Sequence, residues 1–394
     1  MNAPLAIGSR PADQTMPVAH HPAPGGSDRL VSLDALRGFD MFWLLGGQQI
    51  VAALAAGAAA GSVLDRLHQQ FEHAEWAGFR FYDFIFPWFL FLIGMAVPLA
   101  IERRRQRGDR PAQIARHALL RFAGMVFFGW WVTGNFLSWD PQKMQLSYSV
   151  LMMLGFGYLI AVGLVLSMPL RTQILATAAI LVGYWALQMF VPVPGHVPGE
   201  FKEGAILSDW LYDRSVGLLG KPWQSQYGRG FLLSLFPHGA TAMLGVFATY
   251  ILRSTHPDAR KLRWFVGLGL ACLVVGWLWS LHFPIVKRRW TSTYVLWAGG
   301  WSYLLLALFW WVIDVKRIRA WTPLFVAIGS NSLLAYLLAS VFARPFRTLA
   351  EVLFTGWKPY LGAYMWGVWM AIATYGAAWL LLIYLHRRRI FWRL

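Results

Sequence analysis

Apolar stretches of about twenty residues recur along nearly the whole chain of 394 residues, and this recurrence constrains the fold more than any other feature. A stretch of this length crosses a bilayer as a helix, because lipid offers no hydrogen-bonding partners to an unpaired backbone. The alternation typical of a membrane barrel is absent from the sequence. We therefore predict an all-α, polytopic transmembrane helix bundle of ten spans. The predicted spans cover residues 33–57, 82–101, 118–138, 146–168, 173–192, 230–252, 264–283, 293–314, 322–342 and 363–385.

Charge is scarce and concentrated between the spans. Only 13% of residues are charged, whereas soluble domains carry about a quarter. The net charge of +17 comes from short Lys and Arg clusters, a pattern typical of cytoplasmic loops rather than of a nucleic-acid-binding surface. The main clusters lie in segments 102–107, 253–263, 316–319 and 386–389. With ten spans these clusters share one side of the membrane, which predicts that both termini are cytoplasmic.

One basic cluster breaks this pattern. Residues Lys287, Arg288 and Arg289 fall on the predicted outer side, where topology does not require positive charge. A functional role and simple anchoring at lipid headgroups both explain it, and we leave the two open.

The rest of the chain adds little beyond the bundle. Residues 1–28 contain Pro, Ala and His and lack an apolar run, so we predict a disordered tail without a cleavable signal. Residues 29–394 form one predicted transmembrane domain. A single cysteine, Cys272, excludes a disulfide framework and a Cys-based metal site, and we expect no metal.

Polar residues in the first span are the first sign of a function. Arg37 and Gln48 are eleven residues apart, so on a continuous helix they share a face and lie about 16 Å apart along the axis. Polar groups in a span normally face a bundle interior or a cavity. The alternative is a structural pair of Asp34 with Arg37, one turn further on.

A second polar region precedes and begins the second span. His73 lies just outside this span and Asp83 at its mouth. A neutral imidazole is a suitable general base near pH 7, and Glu72, Glu75 or Asp83 could orient it. The alternative is an interfacial histidine in a Trp-rich belt.

A third region, Gly329–Ser332, lies in the middle of the ninth predicted span. There the amide of Asn331 can bond across helices or to a ligand. Gly and Ser in a span are equally typical of close helix packing, and both readings remain open.

Taken in order, several stretches resemble the heparan-α-glucosaminide N-acetyltransferase family of membrane acetyltransferases and its bacterial relatives. The opening Leu-Asp-x-x-Arg-Gly is shared with membrane O-acyltransferases of the acyltransferase-3 type. The stretch from His-x-x-Trp-x-Gly to Phe-Pro-Trp-Phe is much more specific. The matching stretches are Arg29–Gly38, His73–Gly78, Asp83–Phe91, Phe283–Ser292 and Gly329–Ser332.

The resemblance implies an enzyme that takes acetyl from cytoplasmic acetyl-CoA and delivers it to an amino sugar across the membrane. It implies that His73 is the active-site histidine and that Gln48 stands where the family has an asparagine. From the residues and the resemblance together, we expect catalytic roles for His73, Gln48, Asn331 and Asp83, cofactor-binding roles for Arg37, Asp34 and Ser332, and acceptor-binding roles for Trp76, Lys287 and Trp290. The chain departs from the family's pattern at Met152-Met153 and at Tyr227–Gly230.

Two other functions fit the same sequence. A permease for amino sugars also needs a polar cavity within a helix bundle, although we find no inverted repeat. An O-acetyltransferase of an envelope glycan is the second. The expected partners are an amino sugar or glycan and the lipid bilayer, with a bacterial inner membrane as the location; the acceptor sugar, the catalytic route and a homo-oligomeric state remain open.

Overall fold

The computed structural model describes residues 30–134, 140, 149–219 and 231–392. Within these ranges the regular elements are helices and no strand forms, which confirms the all-α class. The predicted N-terminal tail, residues 1–28, lies outside the described residues. The α-helices are α1 (Val31–Phe42), α2 (Gln48–Ala55), α3 (Val63–Gln69), α4 (Phe81–Gln106), α5 (Pro111–Thr133), α6 (Val150–Ser167), α7 (Leu170–Phe190), α8 (Leu207–Leu219), α9 (Phe231–Arg253), α10 (Asp258–Ser280), α11 (Ser292–Trp310), α12 (Pro323–Ser330), α13 (Ser332–Ser340), α14 (Ala343–Phe354) and α15 (Lys358–Arg387).

Seven helical stretches of the described chain are long and apolar enough to cross a membrane, and a bent pair raises this number to eight. They coincide with eight of the ten predicted spans. The other two, 33–57 and 118–138, also fall on helices. However, the first is interrupted, and α5 does not pass the same test of length and composition. A bundle of membrane helices is therefore shown, while the number ten and the side of each terminus stay predictions.

Hydroxyl caps begin several helices where the chain leaves a connection. The Ser62 hydroxyl accepts from the backbone N–H of Asp65 at 3.2 Å, and Ser149 accepts from Met152 at 3.3 Å. These bonds satisfy N–H groups that have no partner within the helix.

Helix α4 lies at the centre of the bundle and is buried along most of its length. Glycines let its neighbours approach closely: a side chain at Gly94 would overlap the backbone of Ala242 on α9. In the same way a side chain at Gly38 on α1 would overlap the backbone of Phe325 on α12. Such small residues are what tight helix packing in lipid requires.

The first predicted span is not one continuous helix. A π-type turn over Trp43–Gly47 separates α1 from α2, with Leu45 at φ −94°, ψ 45° and Gly46 at φ 117°. The positive φ favours glycine, and a side chain at Gly46 would also overlap the ring of Tyr375. This break rotates α2 relative to α1, so positions on either side no longer follow one helical face.

The ninth predicted span is also broken. Helices α12 and α13 meet at Asn331 with a bend of 82°. Residues 343–362, predicted as a loop, contain the short helix α14 before α15 begins. Part of the longest predicted loop, 193–229, forms helix α8.

Candidate active site

His73 and Asp83 form the centre of the site. Nδ1 of His73 lies 2.8 Å from Oδ1 of Asp83. Asp83 occupies the first turn of α4 and is fully buried, whereas about half of the His73 side chain is exposed. The second carboxylate oxygen accepts from the backbone N–H groups of Arg80 at 3.1 Å and Ala74 at 3.2 Å. These two bonds fix the carboxylate and the loop that carries His73.

This geometry determines the tautomer of the imidazole. An ionised carboxylate only accepts hydrogen bonds, so Nδ1 of His73 carries the hydrogen that Asp83 accepts. Nε2 then keeps its lone pair, and Asp83 stabilises the imidazolium that forms when Nε2 takes a proton. The predicted pairing of His73 with an acid is therefore present, and Asp83 is the acid that makes it.

Lys287 completes the cluster from the turn between α10 and α11. Its Nζ lies 3.3 Å from Oδ1 of Asp83 and 3.0 Å from Nδ1 of His73. The ring of Tyr82 lies beside both, 5.1 Å from the His73 ring and 6.0 Å from Nζ. Burial lowers the pKa of the Lys287 ammonium to about 8, although the Asp83 carboxylate acts in the opposite direction.

The neighbouring Arg289 is a structural residue. Its Nε lies 2.6 Å from Oδ1 of Asp209 and its Nη2 lies 2.9 Å from Oδ2, with both side chains almost fully buried. The Tyr184 hydroxyl donates to its carbonyl, and the Trp76 ring lies 5.0 Å from its guanidinium. Trp76, predicted to bind the acceptor, thus packs on Arg289, and it does not line the cavity described below.

Trp290 lies next to this network in a left-handed conformation, with φ 49° and ψ 49°. Its indole N–H donates to Thr241 at 2.9 Å, and its ring stacks on His238 at 4.0 Å. A non-glycine residue in this conformation is uncommon and persists only where its surroundings hold it. Lys287, Arg289 and Trp290 thus belong to one tightly held turn at the site.

A cavity of about 1880 Å³ connects this cluster with the opposite end of the bundle. Tyr82 and Arg103 both line it, and their spacing on α4 corresponds to about 32 Å along the helix. That length is close to the roughly 30 Å thickness of a hydrocarbon core. The walls include Asp34, Arg37, Asp40, Gln49, His73, Tyr82, Arg103, Met153, His238, Arg253, Lys287, Trp290 and Ser332.

Two of the residues expected to bind the cofactor lie together in the wall of this cavity. Arg37 and Asp34 form the alternative pair weighed from the sequence, with a separation of 3.7 Å. Both also line the cavity, as does Ser332. The ion pair and a place in the cavity wall are therefore compatible.

The shared face of Arg37 and Gln48 is a wrong prediction, because the break at Leu45–Gly46 interrupts the helix between them. The amide of Gln48 donates to the carbonyl of Phe71 at 2.9 Å, and Gln48 is not among the cavity-lining residues. The neighbouring Gln49 lines the cavity instead of Gln48, and its Oε1 has no hydrogen-bond partner within the described chain.

The structure does not bring Asn331 to the cluster. Its amide nitrogen donates to the carbonyl of Ile390 at 3.0 Å, and its oxygen accepts from the N–H of Trp392 at 2.8 Å. The neighbouring Ser330 hydroxyl lies 2.9 Å from Nδ1 of His386. Asn331 therefore fastens the C-terminal segment to the bend between α12 and α13, with both the nitrogen and the oxygen of its amide bonded to that segment.

No protein-family model matches the chain. The chain is 26% identical over 387 aligned residues to the heparan-alpha-glucosaminide N-acetyltransferase of Mus musculus, and 26% identical over 385 residues to the protein of that name in Homo sapiens. Each alignment covers 82% of this chain and 56% of the relative. The chain is a distant relative of these acetyltransferases. It spans about half the length of the curated relatives it matches.

The resemblance to the heparan-α-glucosaminide N-acetyltransferases is thereby confirmed as a distant relationship. With the apolar helices, it identifies an integral membrane protein. Of the two departures from the family's pattern, Met153 lines the cavity. Residues 227–230 lie outside the described chain.

Three features of the site were not predicted from the sequence. Gln49 was not predicted, because the sequence predicted a continuous helix that favoured Gln48. The break at Gly46 changes which of the two side chains lines the cavity. No role was predicted for Asp40 in the first span. The pair of Arg289 with Asp209 joins residues eighty positions apart, and only the single basic cluster outside the topological pattern pointed to it.

Proposed function

We propose that this protein is a transmembrane acetyltransferase that transfers acetyl from acetyl-CoA to the amine of an amino sugar. The observation that carries the proposal is the base formed by His73 and buried Asp83 at one end of a cavity that Arg103 and Arg253 line at the other end. The relationship to N-acetyltransferases supports the same reaction class.

In this proposal acetyl-CoA enters from the end opposite His73, called the basic end, where Arg103 and Arg253 line the wall; Arg37 lines the wall further in, towards His73. Its phosphates are too polar to enter lipid and stay beside these cations, while the pantetheine arm extends along the cavity. The acceptor reaches the site from the side of His73, and Lys287 with Trp290 lies close by. We propose that the basic end is cytoplasmic and that the membrane is a bacterial inner membrane.

The reaction follows from the geometry of the cluster. The acceptor amine attacks the thioester carbonyl, and Nε2 of His73 takes the amine proton as the bond forms. Asp83 stabilises the resulting imidazolium, and the Gln49 amide donates to the oxyanion. The carbon–sulfur bond then breaks and CoA leaves with the electron pair. We propose this direct transfer rather than an acetyl-histidine intermediate.

Purified protein incubated with acetyl-CoA and a panel of amino sugars tests the proposal. We expect free thiol and N-acetylated sugar in equal amounts, and neither with a matched sugar that lacks the amine. Thiol release that requires a hydroxyl but no amine indicates O-acetylation. If no acceptor releases thiol, while proteoliposomes take up labelled glucosamine without CoA, the protein is a permease and the proposal is wrong.

A further inference from the structure

Asp40 is a buried carboxyl group that the fold leaves without a partner. Its side chain is fully buried, and neither oxygen has a hydrogen-bond partner among the residues that the structure describes. The other fully buried carboxylates on this face of the bundle are compensated: Asp83 by His73 and Lys287, and Asp209 by Arg289. Burying a polar group without partners costs free energy, so Asp40 requires a reason other than stability.

Asp40 lies in the cavity wall beside the candidate active site. Phe39 packs on Trp88 and Trp43 packs on Phe81, so α1 and α4 run antiparallel and Asp40 faces the first turns of α4. The Tyr82 ring contacts the His73 ring at 5.1 Å. Asp40, Tyr82 and His73 all line the same cavity.

The position of Asp40 along α1 shows on which side of His73 it lies in the cavity. Asp40 is three residues beyond Arg37, about 4.5 Å along the helix. It therefore lies between the basic end of the cavity and His73. A thioester that arrives from the basic end presents its sulfur towards Asp40 and its carbonyl carbon towards His73.

The buried Asp40 side chain is suited to donate a proton, because its neutral form is favoured. A carboxylate buried without a cation or hydrogen-bond donors is unfavourable, so the neutral acid is the stable form. That form has one O–H donor. The departing CoA sulfur would otherwise be a thiolate in a wall formed largely by Met41, Leu44, Ile85 and Phe89, where an uncompensated anion is costly.

We propose that Asp40 is the general acid that protonates the CoA sulfur as the thioester breaks, an inference that rests on the proposed function. The amine nitrogen forms its bond to the carbonyl carbon and loses a proton to His73. The carbon–sulfur bond breaks, its electron pair goes to sulfur, and the Asp40 proton converts the thiolate to a thiol. Asp40 regains a proton, and His73 loses one, through water in the cavity.

The test compares Asp40→Asn and Asp40→Glu with wild type, by steady-state release of CoA thiol and N-acetyl sugar. Asn keeps the size of Asp but has no acidic proton. We expect its kcat to fall about 10²-fold or more, with both KM values and the thermal unfolding midpoint unchanged or the midpoint raised. Glu keeps the acid, so its kcat is expected above that of Asn. Asp314→Asn is the control, because Asp314 is a partly buried acid in the π-helical turn that follows α11 and does not line the cavity.

Each possible result of these measurements supports or contradicts the role of Asp40 as the general acid. Asp40→Asn with wild-type kcat, or Glu as slow as Asn, overturns the acid. A rise in KM for the amine with unchanged kcat makes Asp40 a binding site for the acceptor's ammonium instead. Failure of Asp40→Asn to fold also contradicts the inference, because an unpartnered carboxyl does not hold the fold together. Absence of CoA-dependent transfer by wild type contradicts the proposed function itself, which distinguishes the two failures.

Discussion

The Asp83 carboxylate holds the His73 imidazole at 2.8 Å, and the pair joins a half-exposed base to a fully buried acid. Asp83 can do so because it sits in the first turn of α4, where backbone N–H groups lack helical partners. The N–H of Arg80, the residue that precedes the helix, and the N–H of Ala74 in the loop bind its other oxygen. The same carboxylate thus begins the helix, shapes the loop and orients the base.

Asp83→Asn is expected to lower the kcat of acetyl transfer by about 10²-fold or more. An amide can donate to Nδ1, which favours the tautomer with its hydrogen on Nε2 and removes the base from the reacting amine. The measurement is kcat with acetyl-CoA and the best amino-sugar acceptor. Glu72→Gln and Glu75→Gln are matched controls from the same loop and should keep the wild-type rate. Equal losses in these variants would mean that the charge of the loop, rather than the pair, is what matters.

Much of the architecture could be predicted from the sequence, because a helix that crosses the hydrocarbon core needs a continuous apolar stretch of about twenty residues. Within the described residues each predicted span falls on helical structure, although the first is interrupted at Leu45 and Gly46. The contact of His73 with Asp83 could also be predicted from the sequence, since only ten residues separate them. Contacts between residues this close in sequence can be inferred from their spacing.

The rest depends on contacts between distant parts of the chain. Lys287 meets His73 across 214 positions, and no local pattern specifies this contact. At the break the ring of Tyr375, more than 300 positions away, packs closely against Gly46, and beyond the break Gln48 does not line the cavity. Asn331 looked like a polar group for a ligand, but its amide binds the backbone of the C-terminal segment.

Gln49→Leu should reduce kcat by about 10²- to 10³-fold, the usual cost of losing one oxyanion donor. Gln48→Leu should instead cost stability, about 1–3 kcal/mol, because the carbonyl of Phe71 loses its donor. Turnover and thermal unfolding of the two variants, measured side by side, separate these effects. The reverse result, slow turnover for Gln48→Leu and normal turnover for Gln49→Leu, would restore the role predicted from the sequence.

Breaking the buried pair of Arg289 with Asp209 should destabilise the protein by about 3–5 kcal/mol, since Arg289→Met leaves the buried Asp209 without its cation, and Asp209→Leu leaves the buried Arg289 with the half-exposed Glu203, 3.5 Å away. Arg289→Met and Asp209→Leu are expected to be worse alone than together. Arg288→Met is the control: its half-exposed guanidinium lies 3.8 Å from Glu203, and an exposed pair contributes about 1 kcal/mol or less. Additive effects of the two changes in denaturant unfolding would contradict the coupling.

The ammonium of Lys287 should make stability depend on pH. Its pKa is about 8 in the folded protein and near 10.4 in an unfolded chain. Between these values the unfolded state binds more protons, so the free energy of unfolding rises with pH. The wild-type midpoint minus that of Lys287→Met should therefore increase from about pH 8 to pH 10.

The control for this pH dependence is Lys202→Met, on an exposed lysine of the loop before α8. Its midpoint difference from wild type should stay flat over the same range. A flat difference for Lys287→Met as well would show that Lys287 is not buried beside Asp83 in solution.

The most direct test of the account is the turnover of His73→Asn, which keeps approximate size and one hydrogen bond but has no basic nitrogen. The account predicts a fall in kcat of about 10²-fold or more, with acetyl-CoA binding and thermal stability close to wild type. His68→Asn, five residues earlier and 3.9 Å from the half-exposed Glu72, should keep full activity. A His73→Asn protein that acetylates the amino sugar as fast as wild type would contradict the account.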